Sequence, residues 1–375
     1  MPGLLPDVDP DGLLEYSVVY TDRALNHMSA RFQRVMLDLS SALKAVYRAH
    51  SVAIVPGSGT FAMEAVARQL AMGQHALIVR NGWFSYRWSQ ILQQGGIAAR
   101  ETVLKARPVS ADEQAPFAPP PLDEVLATVA RERPNIVFAP HVETSSGIIL
   151  PDEYLRAVAQ AVRAVQGLFV VDCVASGASW LDMTALDIDV LISAPQKGWS
   201  ASPCAGLVLL SERARQRVVE TQSSSFACDL RKWLEIMAAY ERGGHMYHAT
   251  MPTTGLQQLR DALFESQRVG LPELQRAQAQ LGARVRGALE AAGYPSVAAE
   301  DFKAPSVVVS YTRDPEIASG KKLRDLGLQV AAGVPLACDE PASFRTFRVG
   351  LFGLDKLQNI DRSVSSLTHA LAQLR

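Results

Sequence analysis

The chain has 375 residues, of which 48% are hydrophobic and 20% charged, with a formal net charge of -1 and a pI of about 6.7. A chain of this length buries a large core, and it predicts one large domain and one smaller domain. The near-zero net charge gives no broad electrostatic field, so neither nucleic acid nor an anionic membrane is predicted as a partner.

The cysteines give no sign of a disulfide framework or a cysteine-rich metal site. Cys173, Cys204, Cys228 and Cys338 are far apart in sequence, and none belongs to a C-x-x-C pair. Residues 1–12 lack the basic and then apolar order of an export signal, and no apolar stretch has membrane-spanning length. These features predict reduced thiols in a cytoplasmic protein.

The first two thirds of the chain alternate between helical and strand patterns. Apolar positions recur at helical spacing in some stretches, and short apolar runs without alternation are typical of strands buried on both faces. The predicted helices are 28–50, 61–72, 86–94, 122–131 and 154–165, and the predicted strands are 52–55, 76–79, 135–138, 168–171 and 190–193. This order predicts an α/β fold, with a mostly parallel sheet sandwiched by helices.

The pattern changes near residue 255. Long helical stretches at 256–268 and 273–292 lead to strands at 306–311 and 345–351, and a last helix closes the chain. The proline-rich stretch 115–121 is predicted to be a stiff surface connection within a domain. We therefore predict an N-terminal extension (1–20), a large domain (21–255) and a smaller C-terminal α+β domain (256–375).

A glycine-rich turn, Gly57-Ser58-Gly59-Thr60, stands between a predicted strand and a predicted helix. Free backbone N–H groups and the helix dipole favour a phosphate at such a position, although the same residues also suit an ordinary helix cap. The turn fits the weak G-x-G-x-x-A fingerprint of nicotinamide dehydrogenases, which expects an acidic residue about 20 positions later. Residues 65–100 contain no Asp or Glu, and no Gly-Lys-Ser/Thr follows the turn, so dehydrogenase and P-loop interpretations are disfavoured.

Two further residues follow predicted strands, at the edge where α/β sheets bind ligands. Asp172 ends the apolar run 168–171, and Lys197 lies just after the strand 190–193. Taken alone, Asp172 suits a helix cap or a salt bridge, and Lys197 suits a surface charge. Together, a phosphate turn, an acidic group for a pyridinium nitrogen and a lysine are the parts that pyridoxal 5′-phosphate (PLP) requires.

Seven motifs occur in the order in which one family has them. They are Gly57-Ser58-Gly59, Asn81-Gly82, HVETSSG at 141–147, VDCVAS at 171–176, Gln196-Lys197, MYHAT at 246–250 and FRVGL at 347–351. From about Asn26 to its C-terminus the chain resembles the class V group of fold-type I aminotransferases. The resemblance is close to alanine:glyoxylate and serine:pyruvate aminotransferases, with 2-aminoethylphosphonate:pyruvate enzymes as cousins.

The resemblance implies a PLP site with assigned residues. Lys197 is expected to bind the cofactor covalently and to move the substrate α-proton, and Asp172 to keep the pyridinium nitrogen protonated. The phosphate is assigned to the turn and to Gln196 of the same chain, and to two residues of a second subunit in a homodimer. These residues are Ser58, Gly59, Thr60 and Gln196 in one subunit, and Tyr247 and Thr250 in the other.

Three more positions follow from the resemblance. Thr144 is expected to bond near the cofactor's phenolic oxygen, and Val174 to pack on one face of its ring. Arg348 is expected to clamp the substrate carboxylate through a bidentate pair. Where close relatives stack Trp on the ring, this chain has Phe84, with the adjacent Trp83 as the alternative.

The N-terminal part departs from the family pattern. A Gly-Pro-rich strand that lines the substrate pocket in relatives is replaced here by residues 14–26, so substrate identity is not inherited from them. Asn26 and His27 fall near the region that relatives use around the pocket, and both are candidate substrate-binding residues, although a lone His is usually structural.

The expected reaction is a ping-pong transfer from alanine, serine or a similar amine to a 2-oxo acid such as glyoxylate or pyruvate. Two alternatives keep the cofactor: a cysteine desulfurase or β-lyase that uses Cys338, and a PLP-binding protein without turnover. His245-x-x-His248 has no third ligand at a suitable spacing, so no metal is predicted.

Overall fold

The computed structural model describes residues 13–374. Residues 1–12, on which the prediction of no export signal rests, lie outside the described part, and so does residue 375. Across residues 13–374, no helix combines the length and the hydropathy that crossing a bilayer requires.

The secondary structure alternates between strands and helices, as predicted for most of the chain. In chain order the strands of the described residues are β1 (Ser51–Pro56), β2 (His75–Arg80), β3 (Arg100–Lys105), β4 (Arg107–Pro108), β5 (Phe117–Ala118), β6 (Ile136–Pro140), β7 (Val142–Glu143), β8 (Ile148–Ile149), β9 (Leu168–Asp172), β10 (Val190–Ser193), β11 (Ala205–Leu210), β12 (Val307–Tyr311), β13 (Ala331–Ala332) and β14 (Thr346–Gly350). The α-helices are α1 (Ala30–Tyr47), α2 (Gly59–Leu70), α3 (Trp83–Gln94), α4 (Leu122–Glu132), α5 (Asp152–Ala164), α6 (Glu212–Glu220), α7 (Leu230–Glu241), α8 (Thr253–Val269), α9 (Leu271–Ala291), α10 (Pro315–Ala318), α11 (Lys321–Asp325), α12 (Leu354–Gln358) and α13 (Ile360–Gln373).

The largest sheet in the described residues has seven strands, in the order β1, β11, β10, β9, β6, β2, β3. Neighbours from β10 to β3 are parallel, and β11 alone in this sheet runs in the opposite direction. Apolar runs such as Val190–Ser193 are buried along their whole length, as expected for strands covered on both faces. This sheet confirms the predicted α/β fold class.

Two strands of this sheet were absent from the sequence-based prediction. β3 lies at the edge and carries charged residues, so it lacks the apolar run of a central strand. β11 is fully buried, and its Gly206 lets α2 approach the sheet closely. A Cβ at Gly206 would lie 2.4 Å from the Cβ of Ala62 and 2.6 Å from the carbonyl oxygen of Ser58. β11 therefore helps to position the start of α2.

The C-terminal part has its own antiparallel sheet, in the order β12, β14, β13. The two longer strands confirm the strands predicted at 306–311 and 345–351. A second apolar cluster, which includes Leu281, Leu289 and Phe347, packs around this sheet. The proposed boundary at 255/256 falls inside α8, whose Leu263 packs in the large apolar cluster of the first sheet. The domain boundaries stay predictions.

The proline-rich stretch 115–121 corrects one expectation. Phe117 is 2% exposed, and its N–H donates to the carbonyl oxygen of Val297 at 2.7 Å. Burial of this aromatic ring ties the stretch to the C-terminal part, so the prediction of a surface connection is wrong. The four cysteines are free, as predicted, while the cellular compartment stays a prediction.

Candidate functional site

The candidate site lies where strands of the large sheet end. β9 ends at Asp172, and the turn after β10 carries Lys197. Ser58 follows β1, and Thr144 lies four residues beyond the end of β6, after the short strand β7. Because the carboxyl ends of parallel strands meet at one edge of a sheet, Ser58, Asp172 and Lys197 are brought to the same edge, and a hydrogen bond joins Thr144 to Lys197 there.

The Lys197 side chain is largely buried between polar and aromatic groups. Its Nζ donates to Oγ1 of Thr144 at 3.5 Å and lies 5.8 Å from the ring centroid of Phe84 and 5.3 Å from that of Phe352. Burial lowers the pKa of Lys197, and the charge of Asp172 opposes that effect. A lowered pKa enlarges the fraction of neutral amine, which is the form that attacks a carbonyl or accepts a proton.

Asp172 is a buried carboxylate with little local compensation. Its Oδ1 accepts the N–H of Val174 at 2.9 Å, and among the described residues it has no ion pair. Burial raises the pKa of Asp172, and the bond from Val174 and the charge of Lys197 oppose that rise. Such a carboxylate suits a cationic ligand group such as a protonated pyridine nitrogen.

The turn before α2 has the features of an anion site. Ser58 is the N-cap residue of α2, yet its hydroxyl makes no capping hydrogen bond. The next residue must be glycine, because a Cβ at Gly59 would lie 2.8 Å from Cγ2 of Val174. Oγ1 of Thr60 accepts a hydrogen bond from Nη1 of Arg87 at 2.9 Å. The free N–H groups of the first helical turn and the Ser58 hydroxyl fit a phosphate.

Gln196 adds an unpartnered amide next to Lys197. Its Oε1 is buried and has no hydrogen-bond partner among the described residues. Because the two ends of a glutamine amide exchange places on a flip, this position can also present the NH2 group to an anion. The residue therefore fits its predicted place beside a cofactor phosphate.

The two aromatic candidates have different surroundings. The Phe84 ring has Lys197 and Arg348 near it, with Cζ of Arg348 5.6 Å from its centroid. Trp83 instead packs against Tyr86, with ring centroids 5.5 Å apart. The structure therefore brings Phe84, and not Trp83, into contact with the lysine.

Arg348 lies on β14 with most of its guanidinium unengaged. Its Nε donates to the carbonyl oxygen of Ala332 at 2.8 Å, and among the described residues it has no ion pair. Burial lowers the pKa of Arg348, and the negative charge of Glu143 opposes that effect. An arginine stays protonated in proteins, so a positive fork of donors faces the site.

Glu143 is a site residue to which the sequence assigned no role. It is fully buried and accepts five hydrogen bonds: from the backbone N–H and hydroxyl of Ser85 (2.9 and 2.7 Å), from those of Ser145 (3.1 and 2.7 Å), and from the N–H of Phe84 at 3.1 Å. A Cβ at Gly82 would lie 2.1 Å from Oγ of Ser145, so the turn before α3 packs closely here. A negative charge at a helix N-terminus is stabilising, and it fixes the start of α3.

Arg87 and Phe352 were also not identified from the sequence. Arg87 is one turn after Phe84 on α3, and Phe352 directly follows the motif that contains Arg348. Cζ of Arg87 lies 5.2 Å from the Phe84 ring centroid. The helical spacing of Phe84 and Arg87 was the available signal for the arginine.

The residues predicted to serve a second subunit lie apart from Lys197 in a single chain. Tyr247 is 50% exposed, and its hydroxyl bonds to that of Thr250 at 3.1 Å. The Tyr247 ring packs against His27, which is 5% exposed, at 5.6 Å. The amide of Asn26 is engaged locally, because it bonds to Glu15 at 2.8 Å. Neither Asn26 nor His27 contacts Lys197 within the chain.

The remaining candidates have structural partners. Nε2 of His248 bonds to the carbonyl oxygen of Phe226 at 2.7 Å, whereas His245 packs against His27. No group of three metal-ligating side chains occurs between residues 13 and 374. Cys338 is 4% exposed, and burial raises its pKa to about 12. A buried, protonated thiol is a poor nucleophile, which disfavours the desulfurase alternative.

Known proteins resemble this chain over most of its length. A 2-aminoethylphosphonate–pyruvate transaminase from Paraburkholderia xenovorans is 31% identical over 362 residues, which are 94% of this chain and 90% of that protein. An alanine–glyoxylate aminotransferase from Callithrix jacchus is 26% identical over 362 residues, 92% of this chain and 82% of that protein. The crystal structure of a ureidoglycine-glyoxylate aminotransferase from Bacillus subtilis, 20% identical, has a TM-score of 0.79 and covers 96% of this chain and 88% of that one.

The family model for class V aminotransferases matches residues 13–352. The mostly parallel sheet, the buried lysine and the turn before α2 agree with that match. The chain therefore belongs to the class V aminotransferases, which are PLP-dependent enzymes of fold type I.

Proposed function

We propose that this aminotransferase moves an amino group from a small amino acid, such as alanine, serine or a similar amine, to a 2-oxo acid such as glyoxylate or pyruvate, in a ping-pong reaction. One observation carries the proposal: Nζ of Lys197 and Cζ of Arg348 lie 5.8 and 5.6 Å from the centroid of the same Phe84 ring. An α-amino acid carries its carboxylate and its amine on one carbon, so its carboxylate can bind Arg348 while its amine lies near Lys197.

Lys197 is the proposed proton carrier. When bound, PLP supplies the ring that withdraws electrons from the substrate α-carbon and holds the amino group between the two half-reactions. Lys197 would hold the cofactor, and its Nζ would take the substrate α-proton and later return it. The low pKa that burial gives Lys197 supports this role. Asp172 would hold the pyridine nitrogen in its protonated form.

Arg348 and the aromatic ring are proposed to orient the substrate. The substrate carboxylate would bind the guanidinium of Arg348, and Phe84 and Val174 would hold the cofactor ring. Holding the carboxylate aligns the bond between the α-carbon and its hydrogen with Lys197, which is the positioning that makes proton transfer fast. Thr144, whose hydroxyl is the hydrogen-bond partner of Lys197, would bond near the phenolic oxygen of the cofactor.

The phosphate is proposed to bind at the start of α2. The Ser58 hydroxyl, the N–H of Gly59 and the hydroxyl of Thr60 face it, together with the amide of Gln196. The uncapped hydroxyl and the unpartnered amide support this arrangement, since both are free to bond to a ligand.

A homodimer is proposed to complete each site. Tyr247 and Thr250 are exposed in the single chain and bond to one another, which suits a pair that reaches the phosphate of a second subunit. His27 packs against Tyr247. If His27 and the adjacent Asn26 bind substrate, they therefore do so in the site of the second subunit, which Tyr247 is proposed to reach.

A second candidate amino donor is 2-aminoethylphosphonate. The relative that carries this substrate in its name is 31% identical to the chain and matches 94% of it. This donor has no α-carboxylate, so Arg348 would bind its phosphonate.

A panel of donors tests these proposals. Alanine, serine and 2-aminoethylphosphonate are each given to the purified enzyme with glyoxylate or pyruvate, and kcat/KM is measured for Arg348→Ala, Arg348→Lys and the unchanged protein. We expect Arg348→Ala to lower kcat/KM for carboxylate donors by about 100-fold and Arg348→Lys to restore little of it, because lysine lacks the bidentate fork.

The exposed Arg345, which bonds to the carbonyl oxygen of Arg313, provides a matched control as Arg345→Ala. Unchanged kcat/KM with Arg348→Ala would contradict the carboxylate role. A protein that binds PLP but converts no donor would support the alternative of a PLP-binding protein without turnover.

A further inference from the structure

Arg87 is a cation that α3 directs toward the site. It lies three residues after Phe84, so the two side chains project from the same face of the helix. Cζ of Arg87 is 5.2 Å from the Phe84 ring centroid. Because Glu143 holds the N-terminus of α3, Arg87 has a fixed position relative to that ring.

The charge of Arg87 acts on the Asp172 carboxylate, but the two groups are too far apart for an ion pair. Its Nη1 donates to Oγ1 of Thr60 at 2.9 Å, and among residues 13–374 it takes part in no ion pair. A guanidinium has five N–H donors in a fixed fork, so four remain for a ligand. A half-buried arginine with free donors and no ion pair suits a bound anion.

The hydrogen bond from Arg87 to Thr60 indicates which anion Arg87 binds. Thr60 is in the first turn of α2, where the uncapped Ser58 hydroxyl and the helix dipole already favour an anion. Gln196, whose buried Oε1 has no hydrogen-bond partner among the described residues, is proposed for the same phosphate. Arg348 is the cation suited to the substrate carboxylate, so Arg87 is left for the phosphate of the cofactor.

We propose that Arg87 binds the phosphate of PLP, together with the turn before α2, and fixes the Thr60 hydroxyl toward that phosphate. This inference rests on the proposed phosphate site, and it adds a charged residue to a site otherwise built from hydroxyls, backbone N–H groups and an amide. Its effect on the cofactor is distinct from the roles of Lys197 and Arg348.

The test compares PLP with pyridoxal, which lacks the phosphate but has the same aldehyde for Lys197. Dissociation constants of both are measured by absorbance for the cofactor-free protein and for Arg87→Ala and Arg87→Lys. We expect Arg87→Ala to weaken PLP about 10- to 100-fold and pyridoxal less than about twofold, with Arg87→Lys in between. Inorganic phosphate should also compete with PLP less effectively in Arg87→Ala.

Arg68→Ala provides the matched control, because Arg68 is on α2 and pairs with Glu64 outside the site. Equal weakening of PLP and pyridoxal, with a lower unfolding midpoint, would mean a merely structural role and overturn the proposal. An unchanged PLP dissociation constant with a raised KM for the amino donor would assign Arg87 to substrate and also overturn it. Transamination by the unchanged protein, measured in the same preparations, shows separately whether the proposed function holds.

Discussion

Replacing Glu143 by glutamine tests whether this buried carboxylate holds the N-terminus of α3, and with it the Phe84 ring, in place. Oε1 accepts bonds from the N–H of Phe84 and from the N–H and hydroxyl of Ser145, and Oε2 accepts from the N–H and hydroxyl of Ser85. Glutamine keeps the shape, but only one of its two terminal atoms accepts a hydrogen bond.

The cost follows from which donors lose their acceptor. In either amide orientation at least one backbone N–H of α3 or Ser145 faces the NH2 group, while the hydroxyls rotate to new partners. An unsatisfied buried N–H costs about 1–3 kcal/mol, and loss of the charge at the helix N-terminus costs about 0.3–2 kcal/mol. We therefore expect Glu143→Gln to lower the free energy of unfolding by about 1–5 kcal/mol.

Urea unfolding of the cofactor-free protein, followed by circular dichroism, measures this difference. Glu64→Gln is the control, because Glu64 is 39% exposed and its surface pair with Arg68 contributes about 0–1 kcal/mol. If Glu143→Gln is no less stable than Glu64→Gln, the carboxylate does not anchor the helix and this reasoning is refuted.

Three further changes have defined outcomes. Gly59→Ala places a Cβ 2.8 Å from Val174, and this overpacking, which costs about 1–3 kcal/mol, should weaken PLP binding in a titration. As the control, Gly287→Ala has no atom within 4 Å of its Cβ and should stabilise α9 by about 0.5–1 kcal/mol. Equal PLP affinity in the two variants would be evidence against close packing at the turn. Lys197→Met should stabilise the cofactor-free protein at pH 7, because burial lowers the pKa of Lys197 in the folded state. This gain in the free energy of unfolding should shrink toward pH 10, where the unfolded lysine still binds a proton that the folded lysine has lost. A gain that grows with pH, measured by urea unfolding, would be inconsistent with the lowered pKa. Cys338, with its pKa raised to about 12, should resist iodoacetamide at pH 8 in the native protein and react in urea, and fast native labelling detected by mass spectrometry would show an accessible thiolate instead.

The parallel part of the fold could be predicted because each central strand is an apolar run between helices. The edge strand β3 was not predicted, since charged residues hide its pattern. The stretch around Phe117 was misread because proline content describes stiffness and does not report burial, and the partner of Phe117 is Val297, far along the chain.

The positions of Lys197 and Asp172 at the ends of strands could be predicted from the apolar runs that precede them, while their roles in the site stay predictions. Glu143 and Arg87 were missed because their roles depend on contacts with the start of α3 and with Thr60, and these contacts arise only from the packing of separate elements. Which of Phe84 and Trp83 lies near Lys197 could not be predicted from the sequence, since adjacent residues of a helix point in different directions.

The most direct measurement is the visible absorbance spectrum of the purified PLP-bound protein, recorded with alanine, serine or 2-aminoethylphosphonate and then with a 2-oxo acid, beside Lys197→Ala. The account predicts a band that bleaches with one amino donor and returns with the oxo acid, and a Lys197→Ala variant with no turnover. A band that persists with every donor, or a Lys197→Ala variant that still transfers amino groups, would contradict it.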